Sequence, residues 1–211
     1  MKIALFGGTG RIGKRIAAEA LDRGHDVLAV VRNPATARLD DRVEYTAGDA
    51  THAPTVAKVV AGADVVVSAV GPRKAEPAVL VKAARNLLEG VAAAGVARLV
   101  VVGGSGTLQG AGGVALMDAP DADPEGRPLA EAHAEVLALL RAAPAGLEWT
   151  YVSPPPVVED GERTGTYRTG GDEVLVDDEG DSHITVADLA VAVVDEVERA
   201  AFAGRRMTVA Y

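Results

Sequence analysis

The residues best suited to chemistry stand near the start of the chain, in Gly7-Gly8-Thr9-Gly10-Arg11-Ile12-Gly13. Glycines recur there at the spacing G-x-x-G-x-x-G, directly after the apolar run Lys2 to Phe6 and at the head of a helical pattern from Arg11 to Arg23. Strand, glycine turn and helix in that order make a binding place for phosphate groups. The unpaired amides of the first helical turn and the positive end of the helix dipole both favour an anion. Gly7 permits the tight turn, Gly10 lets a pyrophosphate approach bare backbone, and Gly13 lets the helix lie close on the sheet. Arg11 brings a charge within reach of the phosphates, and Thr9 and Ile12 complete the loop. The chemistry implied is dinucleotide binding. The plainer alternative is a glycine-rich turn without a ligand, and the agreement of strand, loop, helix and following strand weighs against it.

The ends of the next strands supply further candidates. Arg32 closes the second apolar run about 20 residues past the loop, where a dinucleotide with a free 2′-hydroxyl meets an Asp or Glu. Arginine cannot accept that hydrogen bond but pairs well with a 2′-phosphate, so NADP(H) is expected in preference to NAD(H). A solvated arginine at a strand end is the plainer reading. Asp49, followed by Ala50, stops the third strand where an adenine amino group would need an acceptor; capping the next helix is an equally good use for it. Ala69-Val70-Gly71 ends the fourth strand with small residues that leave room for a nicotinamide ribose.

These candidates need elements to hold them, and the pattern provides them. Strands are expected at Lys2 to Phe6, Asp26 to Val31, Val43 to Ala47, Asp64 to Val70, Leu99 to Val102 and Leu147 to Val152. Helical spacing separates them at Arg11 to Arg23, Ala53 to Val60, Val79 to Ala94 and Leu129 to Ala142. That alternation predicts a Rossmann-like, doubly wound α/β fold: a parallel sheet with helices on both faces. Gly103 to Gly113 has the composition of a mobile lid or a passive loop, and the Gly- and Pro-rich stretch from Gln109 to Pro128 reads as a loop. Ser153-Pro154-Pro155-Pro156 must end its strand, because successive prolines lack the N–H. Tyr167 to Val176 reads as a hairpin turned at Gly170-Gly171, Val186 to Ala200 as an amphipathic closing helix, and Arg206 to Val209 as a last strand. These last parts form a small C-terminal, substrate-side elaboration of a single domain over residues 1–211.

Composition narrows the function classes. The 211 residues are 48 % apolar and 3 % aromatic, so an aliphatic core is affordable without staples. No cysteine is present, which excludes disulfides, thiolate metal sites and a cysteine nucleophile. A net charge of -9 argues against nucleic acid as a partner. No apolar run reaches the length of a membrane span, and the opening Met1 to Gly7 is too short for a signal peptide. A cytoplasmic protein acting on a small molecule is expected, as a monomer or homodimer. His25, His52 and His183 show no metal-ligand spacing, and the acidic turn Asp177-Asp178-Glu179-Gly180-Asp181 lacks that of a calcium loop, so no metal is expected.

Gly7 to Gly13, Val30-Val31-Arg32-Asn33-Pro34, Gly48-Asp49, Val100 to Gly104 and Trp149 to Pro154 together resemble the atypical short-chain dehydrogenase/reductase family of NAD(P)H-binding proteins. Within it the resemblance is to the NADH-flavin reductase branch, near the NmrA-like regulators and the biliverdin reductase B-type proteins. Gly161 to Tyr167 and Ile184 to Ala190 are similar to that branch too. The resemblance implies that Ser105 occupies the family's serine position and that Ser153-Pro154 contacts the nicotinamide end. It also exposes a departure. Active members place a Tyr four residues before a Lys on the helix after the fifth strand; here that helix reads Leu129 to Leu137 with neither, and Glu135 stands near the Lys position. His133 on the same helix is the remaining candidate acid, since its unperturbed pKa lies near neutrality. The expected function is an NADP(H)-binding oxidoreductase that reduces a flavin, quinone or similar conjugated acceptor without a Tyr/Lys pair. The alternative is an NADP(H)-sensing regulatory protein of NmrA-like type that does not turn over. Isomerase or dehydratase chemistry on a nucleotide sugar is a weaker option, because the chain is short of a substrate domain.

Overall fold

The computed structural model describes residues 1–72 and 76–211. Its centre is built from short β-branched and aliphatic runs. β1 (Lys2–Phe6), β2 (Asp26–Val31), β3 (Glu44–Ala47), β4 (Val65–Ser68), β5 (Arg98–Val102) and β6 (Glu148–Ser153) pair in parallel in the spatial order β3-β2-β1-β4-β5-β6. Helices α1 (Arg11–Asp22), α2 (Ala53–Val60), α3 (Ala78–Ala93) and α4 (Arg127–Arg141) lie in the connections. The sheet is covered on both faces, so alternate residues of each strand enter different cores. Ile3 and Leu5 of β1 join Val27, Ala29, Val65 and Val67 under α1, whereas Ala4 and Phe6 join Val30, Val66, Leu99 and Val101 under α2, α3 and α4.

The remainder of the chain completes the sheet. β7 (Val157–Glu159) and β9 (His183–Thr185) form a separate parallel pair, which the alternation of apolar residues did not announce. β8 (Arg168–Gly170), α5 (Val186–Arg199) and β10 (Arg205–Ala210) follow, and β10 extends the main sheet in parallel with β6. The hairpin expected over Tyr167 to Val176 does not form. β8 pairs antiparallel with β10, placing Gly170 opposite Thr208 and Arg168 opposite Ala210. Beyond the glycines the chain turns to Gln109, whose N–H donates to Asp172 O at 2.8 Å and whose carbonyl accepts from Val174 N–H at 2.9 Å. The reason is competition: the β10 edge offers β-branched partners and a Thr208 hydroxyl that donates to Gly171 O at 2.7 Å, which a local two-strand ribbon lacks.

The closing helix is more deeply buried than an amphipathic pattern implies. Every residue of α5 from Val186 to Val194 is buried, and the helix packs on α1. Its polar residues are therefore fully engaged. Asp188 accepts from the Thr164 and Gly165 amides, the Thr164 hydroxyl and the Tyr211 hydroxyl. Burial pushes its carboxyl up, but those hydrogen bonds outweigh burial and hold it below the ordinary carboxylate value. Glu196 Oε1 accepts from Arg98 Nη2 at 2.6 Å and from the Thr150 hydroxyl at 2.7 Å, in a setting where both charged side chains are under 10 % exposed. Among the described residues no helix is long and apolar enough to cross a membrane.

Removing one partner of a buried ion pair strands the other charge, at a cost of about 3–5 kcal/mol. Glu196→Gln is accordingly expected to lower unfolding free energy by an amount in that range in urea titrations, with m unchanged. A loss no larger than that of an exposed pair such as Arg85–Glu135 would show that Arg98 is solvated.

Candidate functional site

The sheet order makes the site. β2 lies on one side of β1 and β4 on the other. The connections after β1 and β4 therefore leave in opposite directions and open a crevice at the carboxyl ends of the strands. A cleft of about 960 Å³ occupies that place, lined by Gly7, Thr9 and Gly10 of the first turn, Val31 and Arg32, Asp49 and Ala50, and Ala69, Val70 and Gly71. Nine of the expected binding residues thus come together, from four separate strand ends.

The glycines divide into two kinds. Gly7 has φ +77°, and a Cβ there would lie 2.3 Å from Ala69 O. A Cβ on Gly13 would lie 2.2 Å from Gly7 O. Both are demanded by the packing of turn, helix and sheet. Gly10 is not. It is extended (φ -78°, ψ 173°), and a Cβ there would approach only Gly7 O, at 3.2 Å, with otherwise open space. Its bare Cα faces the cleft at the N-cap of α1, and the first turn carries no acidic side chain and no side-chain cap. The fold asks for glycine there less than at Gly7 or Gly13, since only that one carbonyl would have to give by a few tenths of an ångström, whereas a diphosphate needs the bare backbone. The residues present therefore fit a dinucleotide, with the pyrophosphate on the first-turn amides.

At the end of β2 Arg32 is exposed and enters the cleft beside Asn33 and Thr36. Asn33 Oδ1 accepts from Ala35 N–H at 3.1 Å and shapes the turn Pro34–Thr36. Asp49 serves a turn as well: its Oδ1 accepts from the Thr51 amide and hydroxyl, each at 2.8 Å. The Thr51 amide is the main reason its carboxyl lies below the ordinary value, and the Arg32 charge adds to it. Thr36, Thr51 and Glu76 line the cleft without having stood out in the sequence, and Asn33, quoted there only within a motif, lines it too. Only closeness to the end of β2 could have pointed to Thr36.

Other expected residues lie elsewhere. The Arg11 side chain turns away from the loop to Asp160, with Nε to Oδ1 at 3.1 Å, and to Val158 O at 3.0 Å. Ile12 packs its side chain against the core under α1. Ser153 and Pro154 are buried at the end of β6 outside the cleft lining, and among the described residues the Ser153 hydroxyl has no hydrogen-bond partner. Ser105 is half-buried in the turn after β5, its carbonyl accepting from Leu108 N–H at 2.8 Å. The first part of the expected lid is packed rather than free. A Cβ on Gly103 would lie 2.0 Å from the Tyr151 ring and one on Gly104 2.8 Å from the His133 ring, and Leu108 is fully buried.

His133 stands behind the cleft. It shares a small pocket of about 20 Å³ with Ser68 and Val70, and Val70 also lines the main cleft. Its Nδ1 lies 3.3 Å from the Tyr151 hydroxyl, which accepts from Gly104 N–H at 3.1 Å. Burial alone lowers the imidazole pKa to about 4, and burial raises the phenol to about 12. A proton-donating His133 would need the charged ring that this burial disfavours at neutral pH. Glu135 faces outward and pairs with Arg85 at 2.6 Å. Of the other histidines, His25 meets Glu198, His52 meets Thr55, and His183 meets Glu159 and Asp177. Asp177 Oδ1 accepts from the Glu179 and Asp181 amides and so closes the acidic turn.

A profile of NAD(P)H-binding proteins matches residues 7–198, which begins at the glycine loop and ends in α5. The chain belongs to the NAD(P)H-binding family. A Bacillus subtilis (strain 168) protein, YwnB, is 37 % identical over 212 residues, covering 99 % of this chain and 98 % of its own. Among solved structures, a candidate exported protein from Burkholderia pseudomallei is 44 % identical with a TM-score of 0.92, covering both chains completely. A candidate NADH-flavin reductase from Streptococcus pneumoniae is 33 % identical with a TM-score of 0.87, covering 100 % of this chain and 99 % of that one. All three match nearly the whole of this chain over nearly the whole of their own, and the two solved structures share its fold.

Two outcomes are expected from substitutions here. Gly10→Val keeps the fold and loses nucleotide binding in calorimetry, whereas Gly13→Ala lowers the melting temperature strongly because backbone must move. Equal thermal losses for both would remove the case for a ligand at Gly10. His133 has a folded pKa below its ordinary 6.5, so its contribution to stability is complete above pH 6.5 and is lost as pH falls toward 4. Its NMR resonances should stay constant from pH 8 to pH 6, and a midpoint near 6.5 would place the ring in solvent.

Proposed function

We propose that the protein is an NADP(H)-dependent reductase acting on a flavin, quinone or similar conjugated small molecule. The observation that carries the reading is the bare backbone of Gly10 at the head of α1, opening into a cleft whose far side holds Arg32. The first-turn amides of α1 would hold the diphosphate, and the Arg32 guanidinium would pair with a 2′-phosphate. Asp49, whose Oδ1 is spent on Thr51, has Oδ2 left to accept from the adenine amino group. Ala69, Val70 and Gly71 would leave the nicotinamide face uncovered. When bound, the reduced nicotinamide supplies a hydride.

Among the described residues, α4 brings no strong acid to the cleft. α4 has neither the Tyr nor the Lys of the alcohol-oxidising relatives, and His133 is uncharged at neutral pH. A ketone needs its oxygen protonated as hydride arrives; a flavin or quinone spreads the incoming charge over a conjugated system and takes its proton from water. Orientation and proximity then suffice. The name of the Streptococcus pneumoniae relative supports the same acceptor class. A cytoplasmic location belongs to this reading, as that is where reduced nucleotide would be drawn. The missing acid equally favours a second reading, in which the protein binds NADP(H) and signals its level to a partner without turnover.

Arg32→Asp should weaken NADPH binding by at least about 10-fold while leaving NADH little changed, since one charge-assisted contact is worth about 1.5–3 kcal/mol. An unchanged affinity ratio in calorimetric titration would rule Arg32 out as the selector. NADPH oxidation on addition of FMN, FAD or a quinone is the expected result of a steady-state panel. Tight NADPH binding with no oxidation by any acceptor would replace the reductase by the sensor.

A further inference from the structure

A second cavity, of about 470 Å³, opens between α4 and β10 and shares no lining residue with the glycine-loop cleft. One wall is apolar, made by Ala134, Leu137 and Ala138 of α4. The other carries Arg141, Asp172 and Arg206.

Arg206 is an unusual cation for a surface cavity. Its side chain is 3 % exposed. Thr107 anchors it, accepting from Nη1 at its carbonyl at 3.0 Å and from Nη2 at its hydroxyl at 2.5 Å. Among the described residues the Nε has no acceptor. Burial, with Arg141 nearby, lowers its pKa from the ordinary arginine value. A guanidinium held this way is already oriented, so a ligand would lose little freedom of the protein in meeting it.

The charge is also under-compensated. Asp172 Oδ1 lies 3.0 Å from Arg141 Nη2 and 3.3 Å from Arg206 Nη1, so two cations share one carboxylate oxygen. Arg23, by contrast, faces Glu19, Asp195 and Glu198 at once. In a chain of net charge -9, a cavity with two guanidiniums against one carboxylate runs against the average. Asp172 shows which chemistry fits between them. It is 52 % exposed and follows Gly170-Gly171, so rotation of its side chain into water would free the place it holds.

We propose that this cavity binds a small organic carboxylate with an apolar body. The ligand's carboxylate replaces Asp172 Oδ1 between Arg141 and Arg206, and its apolar part lies on Ala134, Leu137 and Ala138. The assignment is independent of the nucleotide cleft, and it holds whether or not the protein turns over.

Hexanoate, hexanol and inorganic phosphate serve as probes: the acid with its body, the body alone, and an anion alone. On the full-length protein, calorimetry should show saturable binding of hexanoate, and markedly weaker binding of the other two. Arg141→Gln, a change at an exposed side chain, should weaken hexanoate by about 10-fold or more, the worth of one charge-assisted contact. Asp172→Asn should tighten it, because the internal competitor loses its charge. Hexanol or phosphate binding as well as hexanoate would overturn the proposal, and so would hexanoate binding unaffected by Arg141→Gln. Absence of saturable hexanoate binding to both the native protein and Asp172→Asn would overturn it as well. Normal NADPH binding in the same samples would show that such a failure belongs to this cavity alone.

Discussion

The contact on which the rest depends is the one between the turn after β1, the head of α1 and the end of β4. Carbonyl oxygens of Ala69 and Gly7 stand where Cβ atoms of residues 7 and 13 would be. Glycine at both places lets the helix come down until its first turn faces the crevice directly. Any side chain would lift α1 from the sheet, and the amides would no longer converge with the ends of β2 and β4. The same closeness buries Ile16, Ala17 and Ala20 against β1 and β2, so the site's geometry and a core are one packing event.

Polar groups divide by their setting. In the C-terminal part they are buried and saturated: Asp188 gathers amides and hydroxyls around the start of α5, and Glu196 ties Arg98 and Thr150 at its end. These groups fix where β10 and the loop over Thr164 lie. Around the cleft the polar groups are exposed and only partly used, as in the bare first turn of α1, Arg32 and the free oxygen of Asp49. Saturated networks specify structure, whereas spare donors and acceptors beside a cavity are capacity for a ligand.

α4 separates two environments. One side sets the His133 ring against Tyr151 and the turn at Gly103-Gly104, in a space too small for more than about one water. Next to it, Ala134, Leu137 and Ala138 form an apolar wall facing two guanidiniums. A helix that carried the family's Tyr and Lys would present a reactive phenol to the cleft. This one instead fills the space behind Val70 with an uncharged imidazole, and its ionic residues Arg127, Glu131 and Glu135 are spent on exposed pairs.

The order of strands and helices in the parallel part, the glycine turn and Arg32 were legible in the amino-acid sequence, because each rests on a pattern confined to a few neighbouring residues. Period, punctuation and a single charge at a strand end survive whatever surrounds them. Tertiary structure alone decided that β8 joins β10 instead of folding back on its own continuation, since long-range pairing offered the better edge. It also decided that Arg11 turns to Asp160, that His133 is uncharged through burial, and that Arg141, Asp172 and Arg206 share one cavity. Charge state and juxtaposition depend on what the fold brings from far along the chain, and no local spacing encodes the dielectric or the neighbours a side chain will meet.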